Sequence, residues 1–172
     1  MRGNPVETEK GINMITLKGI KHSRFASQET HCYQASIFFD GKRAGTVANS
    51  GHGGCDDHQI SDKNVWNSMI DYVNSLPEED TSIEDFRMKP NLETICGRLV
   101  NEFLARKDLK RLLKCRVVVR KPGGELIQTQ TNISPVVLKK WGEQFIADDA
   151  GNVVLNTIDF ETALKLFMGE VK

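Results

Sequence analysis

The residues best equipped for chemistry stand together in the stretch 50–58, which reads Ser-Gly-His-Gly-Gly-Cys-Asp-Asp-His. Two residues separate His52 from Cys55, and two more separate Cys55 from His58. Zinc binds imidazole nitrogen and thiolate sulfur in a tetrahedron, and such short gaps let one loop supply neighbouring ligands. The spacing therefore suggests a zinc site. Because the chain carries no second ligand pair of this kind, a solvated glycine-rich loop is the competing interpretation.

A hairpin upstream is expected to bring further ligands to this loop. Asp40-Gly41 divides two strand-like runs, and this pair favours a two-residue type I′ turn, because both turn residues need a positive φ. The turn predicts the pairs Phe39 with Lys42, Ile37 with Ala44, Ala35 with Thr46 and Tyr33 with Ala48. The same ladder sets Cys32 against Asn49, beside the start of the loop. The candidate metal ligands are His31, Cys32, His52, Cys55 and His58, with Asp56 or Asp57 as further donors.

Two other uses of the loop stay open. The stretch Gly51-His52-Gly53-Gly54 is a candidate ligand-binding loop, because glycines allow positive φ and let successive amides surround an anion ahead of a helix. It lacks the order G-x-x-x-x-G-K-[ST], and its aspartates would repel a phosphate. A hydrolase would need a nucleophile or activated water and a general base, and no complete set is present. We therefore assign no catalytic residue and favour a non-enzymatic protein.

A basic group near the end of a predicted helix forms a second candidate site. Its members, proposed as contacts to nucleic acid, are Lys107, Lys110, Arg111 and Lys114. Cationic side chains bind phosphates, but the same charges also suit a helix C-terminus. No aromatic residues alternate with them to form a base-stacking surface. Nucleic-acid binding is therefore an alternative hypothesis.

The composition sets limits on partners and compartment. Lys plus Arg and Asp plus Glu both number 23, so the formal net charge is zero and gives no overall attraction to nucleic acid or anionic lipid. No apolar run approaches the roughly 20 residues of a membrane span, so we expect no membrane contact. Without a recognisable signal peptide, we expect the protein in the cytoplasm with its four cysteines as reduced thiols.

The periodicity predicts an α+β fold: a mainly antiparallel sheet built from two hairpins, with about four helices packed on it. The first hairpin should turn Tyr33, Ala35, Ile37 and Phe39 towards the core together with Ala44 and Ala48. The helices are expected from a cap at Ser61 or Asp62 to about Leu76, from Asn91 to about Lys114, from Ser134 through Trp141 and Phe145, and from Asp159 onward. Cys96 falls on the apolar stripe of the second helix and is interpreted as a core residue. Residues 1–13 are expected to be a flexible leader, and 14–172 a single domain.

Two stretches carry a family resemblance. The first reads A-S-Q-E-T over 26–30, D-G-K-R-A-G over 40–45 and G-H-G-G over 51–54, and the second is the basic segment Lys107–Val119. Both resemble small uncharacterised proteins of bacteriophages and prophages. Since no activity is known for that group, the resemblance implies no functional residue. It implies an accessory role in a bacterial host cell, by analogy of class alone.

Three functions follow as hypotheses. The first is a phage- or prophage-type accessory protein that binds a host protein or nucleoprotein, for host takeover or inhibition of host defence. The second is a metal-dependent hydrolase or a metal-stabilised module centred on the loop 51–58, with zinc as the cofactor. The third is a nucleic-acid-binding protein that uses the basic helix end.

Overall fold

A computed structural model of the chain describes residues 14–80, 87–130, 133–134, 136–137, 140 and 151–170. The chain divides into two compact units, Met1–Val100 and Asn101–Lys172. The expected leader, residues 1–13, lies outside the described residues. The prediction of a single domain from residue 14 stays a prediction. In the part of the chain that is described, no helix combines the length and apolar character that crossing a bilayer requires.

The first unit is built around a four-stranded antiparallel sheet. Its strands, in the spatial order β1-β2-β3-β4, are β1 Ile15–His22, β2 Tyr33–Phe39, β3 Lys42–Asn49 and β4 Asp57–Gln59. A two-stranded ribbon pairs β5 Glu79–Asp80 with β6 Arg87–Met88. The helices are α1 Lys63–Ser75 and α2 Leu92–Leu112, whose residues from Asn101 onward belong to the second unit.

The turn between β2 and β3 is the predicted one, but the register beyond it is not. Asp40 has φ 48° and Gly41 has φ 73°, as a type I′ turn requires. Phe39 pairs with Lys42, but a bulge then inserts Ala44 as an extra residue. The predicted pairs further from the turn are therefore wrong by one residue: Ile37 pairs with Gly45, Ala35 with Val47 and Tyr33 with Asn49.

This bulge changes which side chains of β3 face the core. Directly paired residues share a face of a sheet, so a shift of one exchanges the faces of the whole strand. Tyr33, Ala35 and Ile37 are buried as predicted, but they are joined by Val47 and Asn49. Ala44 and Ala48, the predicted core partners, are only half-buried, and so is Phe39. The correction brings a polar side chain, Asn49, into the interior.

All three described helices begin directly after a predicted N-cap residue. A side-chain oxygen of each predicted cap, Asp62, Asn91 and Asp159, accepts a hydrogen bond from a backbone amide of the first turn. Three α-helices, and not about four, occur among the described residues. The predicted helix that begins at Ser134 falls mostly outside them, and both Trp141 and Phe145 lie outside.

The second unit has a sheet and a core of its own. Its three-stranded antiparallel sheet has the order β8-β7-β9, with β7 Val118–Arg120, β8 Leu126–Gln128 and β9 Val153–Val154. A 3₁₀ turn, Leu155–Thr157, leads to α3 Phe160–Met168. The two predicted hairpins thus belong to separate sheets and not to one. Successive valines of β7 are buried on opposite faces, since Val118 joins a cluster with Leu109 and Leu155 whereas Val119 joins one with Val154.

Candidate metal site

Three side chains with different ligand atoms converge in the first unit. One carboxylate oxygen of Asp56, one ring nitrogen of His58 and the sulfur of Cys96 all lie within 4.8 Å of one another. Cys96 Sγ and His58 Nε2 are 3.9 Å apart. Zinc bonds of about 2.3 Å to sulfur and about 2.0–2.1 Å to nitrogen place two such atoms about 3.6 Å apart in a tetrahedron. The sulfur–nitrogen distance is therefore close to that of a zinc site.

The sheet and α2 supply these side chains from distant parts of the chain. His58 lies in β4 and pairs with Val47, which is almost fully buried, so both residues share the core face of the sheet. The His58 ring lies 6.3 Å from the ring of Trp66 on α1. Cys96 belongs to the second turn of α2 and has no exposed surface. The prediction that Cys96 is a core residue is right about burial, but the burial places the thiol against an imidazole.

Asp56 is oriented by two hydrogen bonds, one to each carboxylate oxygen. Tyr33 Oη donates to Asp56 Oδ2 at 2.5 Å, and Asn49 Nδ2 donates to Asp56 Oδ1 at 2.9 Å. A carboxylate oxygen has two lone pairs, so each oxygen keeps one for a further partner. Carboxylates that bind metals are commonly held in this way by neighbouring donors. Both donors lie on the core face of the sheet, and it is the bulge in β3 that turns Asn49 to this face. The corrected register is therefore needed for the second of the two hydrogen bonds.

Asn49 also fixes the glycine-rich loop around the site. Its Oδ1 accepts hydrogen bonds from the amide of Gly51 and from Thr30 Oγ1, both at 2.8 Å. Its Nδ2 donates to the carbonyl of Gly54 at 2.9 Å as well as to Asp56. One buried amide therefore connects both ends of the loop and a neighbouring segment to the carboxylate.

The electrostatics of the cluster are set by a half-buried carboxylate beside a buried thiol. Burial, together with the negative charges of Asp56 and Glu93, raises the pKa of the Cys96 thiol to about 12. Burial, and then the hydrogen bond to Asp56, raises the pKa of Tyr33 above its ordinary value. Low-pKa thiolates are the reactive ones, so a buried thiol with a raised pKa is a poor nucleophile. The same negative charges would favour a bound cation.

Of the five predicted metal ligands, only His58 belongs to the converging group in the described part of the chain. His52 and Cys55 are exposed to solvent. Cys32 does lie beside the start of the loop, because a Cβ added to Gly51 would come within 2.8 Å of its Cβ. The ring of His31 lies 5.4 Å from that of His22. The bulge puts Tyr33, and not Cys32, opposite Asn49.

The glycines of the candidate ligand-binding loop have structural partners. Gly51 has φ 87°, and its carbonyl accepts from the amides of Gln28 and Glu29. Gly53 has φ 83° and lies against the side chain of Glu29, where a Cβ would meet the carboxylate at 2.1 Å. Since the Gly51 amide is used by Asn49 and an acidic residue adjoins Gly53, the surroundings are unfavourable for an anion. Ligand binding by Gly51, His52, Gly53 and Gly54 stays a prediction.

The basic group of the second unit lies at the end of α2 and just beyond it. Lys107, Lys110 and Arg111 lie on neighbouring turns at the end of the helix, and Lys114 lies in the turn that follows. All four side chains are exposed. Two of them have partners within the unit: Lys110 Nζ lies 5.3 Å from the centre of the Phe160 ring, and Arg111 pairs with Asp108 at 3.4 Å. These contacts fit a solvated helix end, and a nucleic-acid contact stays a prediction.

Three residues of the candidate site were not predicted from the sequence: Cys96, Tyr33 and Asn49. Cys96 is 38 residues from His58, and its position on an apolar stripe gave no sign of a polar partner. Tyr33 was assigned to the core without a role for its hydroxyl. Asn49 was assigned to the opposite face, because the bulge was not foreseen. The one local signal was the short spacing of Asp56 and His58 within the loop.

Comparison with known proteins gives no match for this chain, whether with protein-family models, with curated proteins or with solved structures. The fold and the site therefore define the class: an α+β protein whose first unit brings a buried thiol together with a half-buried imidazole and a half-buried carboxylate.

Proposed function

We propose that the protein is a zinc-binding module in which Asp56, His58 and Cys96 bind the ion and connect the four-stranded sheet to α2. The convergence of their three ligand atoms within 4.8 Å carries the proposal. Imidazole, thiolate and carboxylate are all zinc ligands. The two donors on Asp56 support it further, because they fix that carboxylate as a ligand would need.

The proposed role of the zinc ion is to stabilise the fold and not to catalyse a reaction. Residues 58 and 96 are far apart in the chain, and an ion held between them would close a long loop and add its binding energy to folding. A cysteine nucleophile is disfavoured by the burial of Cys96. The hydrolase alternative would need a coordination position open to water. The phage-type role in binding a host protein or nucleoprotein stays a prediction, since it rests on resemblance alone.

Metal content and affinity test the proposal on the full chain. After loading with zinc and gel filtration, the wild-type protein should carry about one ion per chain, by elemental analysis. The Cys96→Ser variant should bind zinc more than about 100-fold more weakly in competition with a chromophoric chelator, because loss of a ligand's hydrogen-bonded partner alone costs about 10–100-fold. Cys55→Ser is the matched control, and its affinity should be unchanged.

Cobalt gives a second measurement that does not depend on how well a variant folds. Wild-type protein loaded with Co²⁺ should show the charge-transfer absorption of a cobalt–thiolate bond, and Cys55→Ser should show it equally. Wild-type protein that holds no zinc at near-stoichiometric level, or a signal that Cys55→Ser abolishes, would overturn the proposal.

A further inference from the structure

The first turns of α2 place a second carboxylate on the same side as the buried thiol. Glu93 and Cys96 are three residues apart in the helix, a spacing that stacks two side chains on one face with Cβ atoms about 5–6 Å apart. Pairs of ligands at this spacing bind a common ion in helical metal sites. Glu93 is only half-buried, which leaves its side chain room to reorient.

The carboxylate of Glu93 is not one of the ligand atoms that lie within 4.8 Å of one another. A change of side-chain rotamer is therefore needed for it to reach an ion held by the other three residues. Its position one turn before Cys96, on the same face of α2, allows such a change.

We infer that Glu93 is the fourth ligand of the zinc site and completes a tetrahedron with Asp56, His58 and Cys96. This inference rests on the proposed function and makes it more specific. Four protein ligands are typical of structural zinc sites, whereas catalytic sites keep one position for water or substrate. With Glu93 bound, the site is closed, and the zinc stabilises the first unit instead of activating water.

Cobalt spectroscopy with a small anion tests this closure. Azide binds Co²⁺ only where a coordination position is open, and it then changes the visible spectrum. The spectrum of the Co²⁺-loaded wild-type protein should stay unchanged when azide is added. The spectrum of Glu93→Ala should respond to azide, because removal of the carboxylate opens the fourth position. Its metal affinity should also fall by at least about 10-fold.

Asp71→Asn is the control, because Asp71 is an exposed carboxylate on α1 in the same unit. Its affinity and its indifference to azide should match the wild type. A wild-type spectrum that responds to azide, or a Glu93→Ala variant with unchanged affinity, overturns the role of Glu93 and leaves the three-ligand site standing. A wild-type protein that binds neither zinc nor Co²⁺ overturns the proposed function itself, so the two failures are distinguishable.

Discussion

Each unit contains an asparagine that cross-links its surroundings, and the partners of the two differ in kind. In the second unit, the partners of Asn156 among the described residues are backbone groups: its Oδ1 accepts from the amide of Val118, and its Nδ2 donates to the carbonyls of Arg116 and Leu113. In the first unit, Asn49 binds backbone groups too, but it also donates to the Asp56 carboxylate. The same side chain therefore serves structure alone in one unit, and structure together with a candidate ligand in the other.

One charged residue in each unit shows the same contrast. In the second unit, Arg106 pairs with Glu102 and Glu161 at the surface, so opposite charges neutralise each other in solvent. In the first unit, Asp56 lies beside an imidazole and the buried Cys96 thiol, whose pKa is raised by burial and then by the charge of Asp56. The cluster around Asp56 is therefore a better candidate for binding a cation than the carboxylates that pair with Arg106.

The largest expected effect is a loss of stability on substitution of Gly51, in the loop that Asn49 holds. Gly51 has φ 87°, and a Cβ there would meet the carbonyl oxygen of Ala26 at 2.2 Å. Gly51→Ala should lower the free energy of unfolding by about 3 kcal/mol or more, from backbone strain plus the clash. Gly54→Ala, whose Cβ would meet nothing within 4 Å, should be close to neutral. Urea denaturation of both variants checks this, and equal losses would show that Asn49 does not hold the loop rigidly.

Substitution of the two asparagines should affect stability alike but zinc binding differently. Asn49→Ala and Asn156→Ala should each lower the free energy of unfolding by about 1–3 kcal/mol, because each leaves polar partners unsatisfied. Only Asn49→Ala should also weaken zinc binding, by about 10–100-fold, because it frees the Asp56 carboxylate to rotate. Denaturation and chelator competition measure the two effects. If Asn156→Ala weakened zinc binding as much, the loss would reflect general destabilisation, and the contrast between the units would collapse.

The smallest expected effect is a change in the pH dependence of stability, caused by the helix-capping carboxylate of Asp159 in the second unit. Hydrogen bonds from the hydroxyl and the amide of Thr162 hold the pKa of Asp159 below its usual value. A lowered folded-state pKa stabilises the fold above the unfolded-state pKa of about 3.9, and this contribution disappears as the pH falls through the folded-state value. Asp159→Asn can still cap α3 but does not titrate. The difference in Tm between wild type and variant should therefore be largest near neutral pH and shrink below about pH 4.

Zinc binding supplies the control for this pH experiment, because Asp159 lies outside the candidate site. Asp159→Asn should bind zinc as the wild type does at neutral pH. A Tm difference that grows as the pH falls would contradict the assigned direction of the pKa shift.

Local chemistry predicted much of the fold. The two positive φ angles of the Asp40-Gly41 turn and the helix caps at Asp62 and Asp159 each depend on a few neighbouring residues. The register of the first hairpin could not be predicted, because Asp-Gly fixes only the pairs next to the turn. Nothing local marks Ala44 as a bulge. The residue after it, Gly45, packs against the β4 backbone at Gln59, a contact between strands that the turn sequence does not reveal.

The candidate site, too, was predicted only in part from the sequence. The sequence by itself determined that the segment 51–58 is rich in ligand atoms, and it placed Cys96 on a buried helical face. Only the tertiary structure decided which of those atoms meet. The bulge turned Asn49 inward, Tyr33 and Asn49 fixed Asp56, and α2 brought Cys96 to His58. Contacts between residues 38 positions apart depend on the packing of whole elements, and spacing along the chain carries no record of that packing.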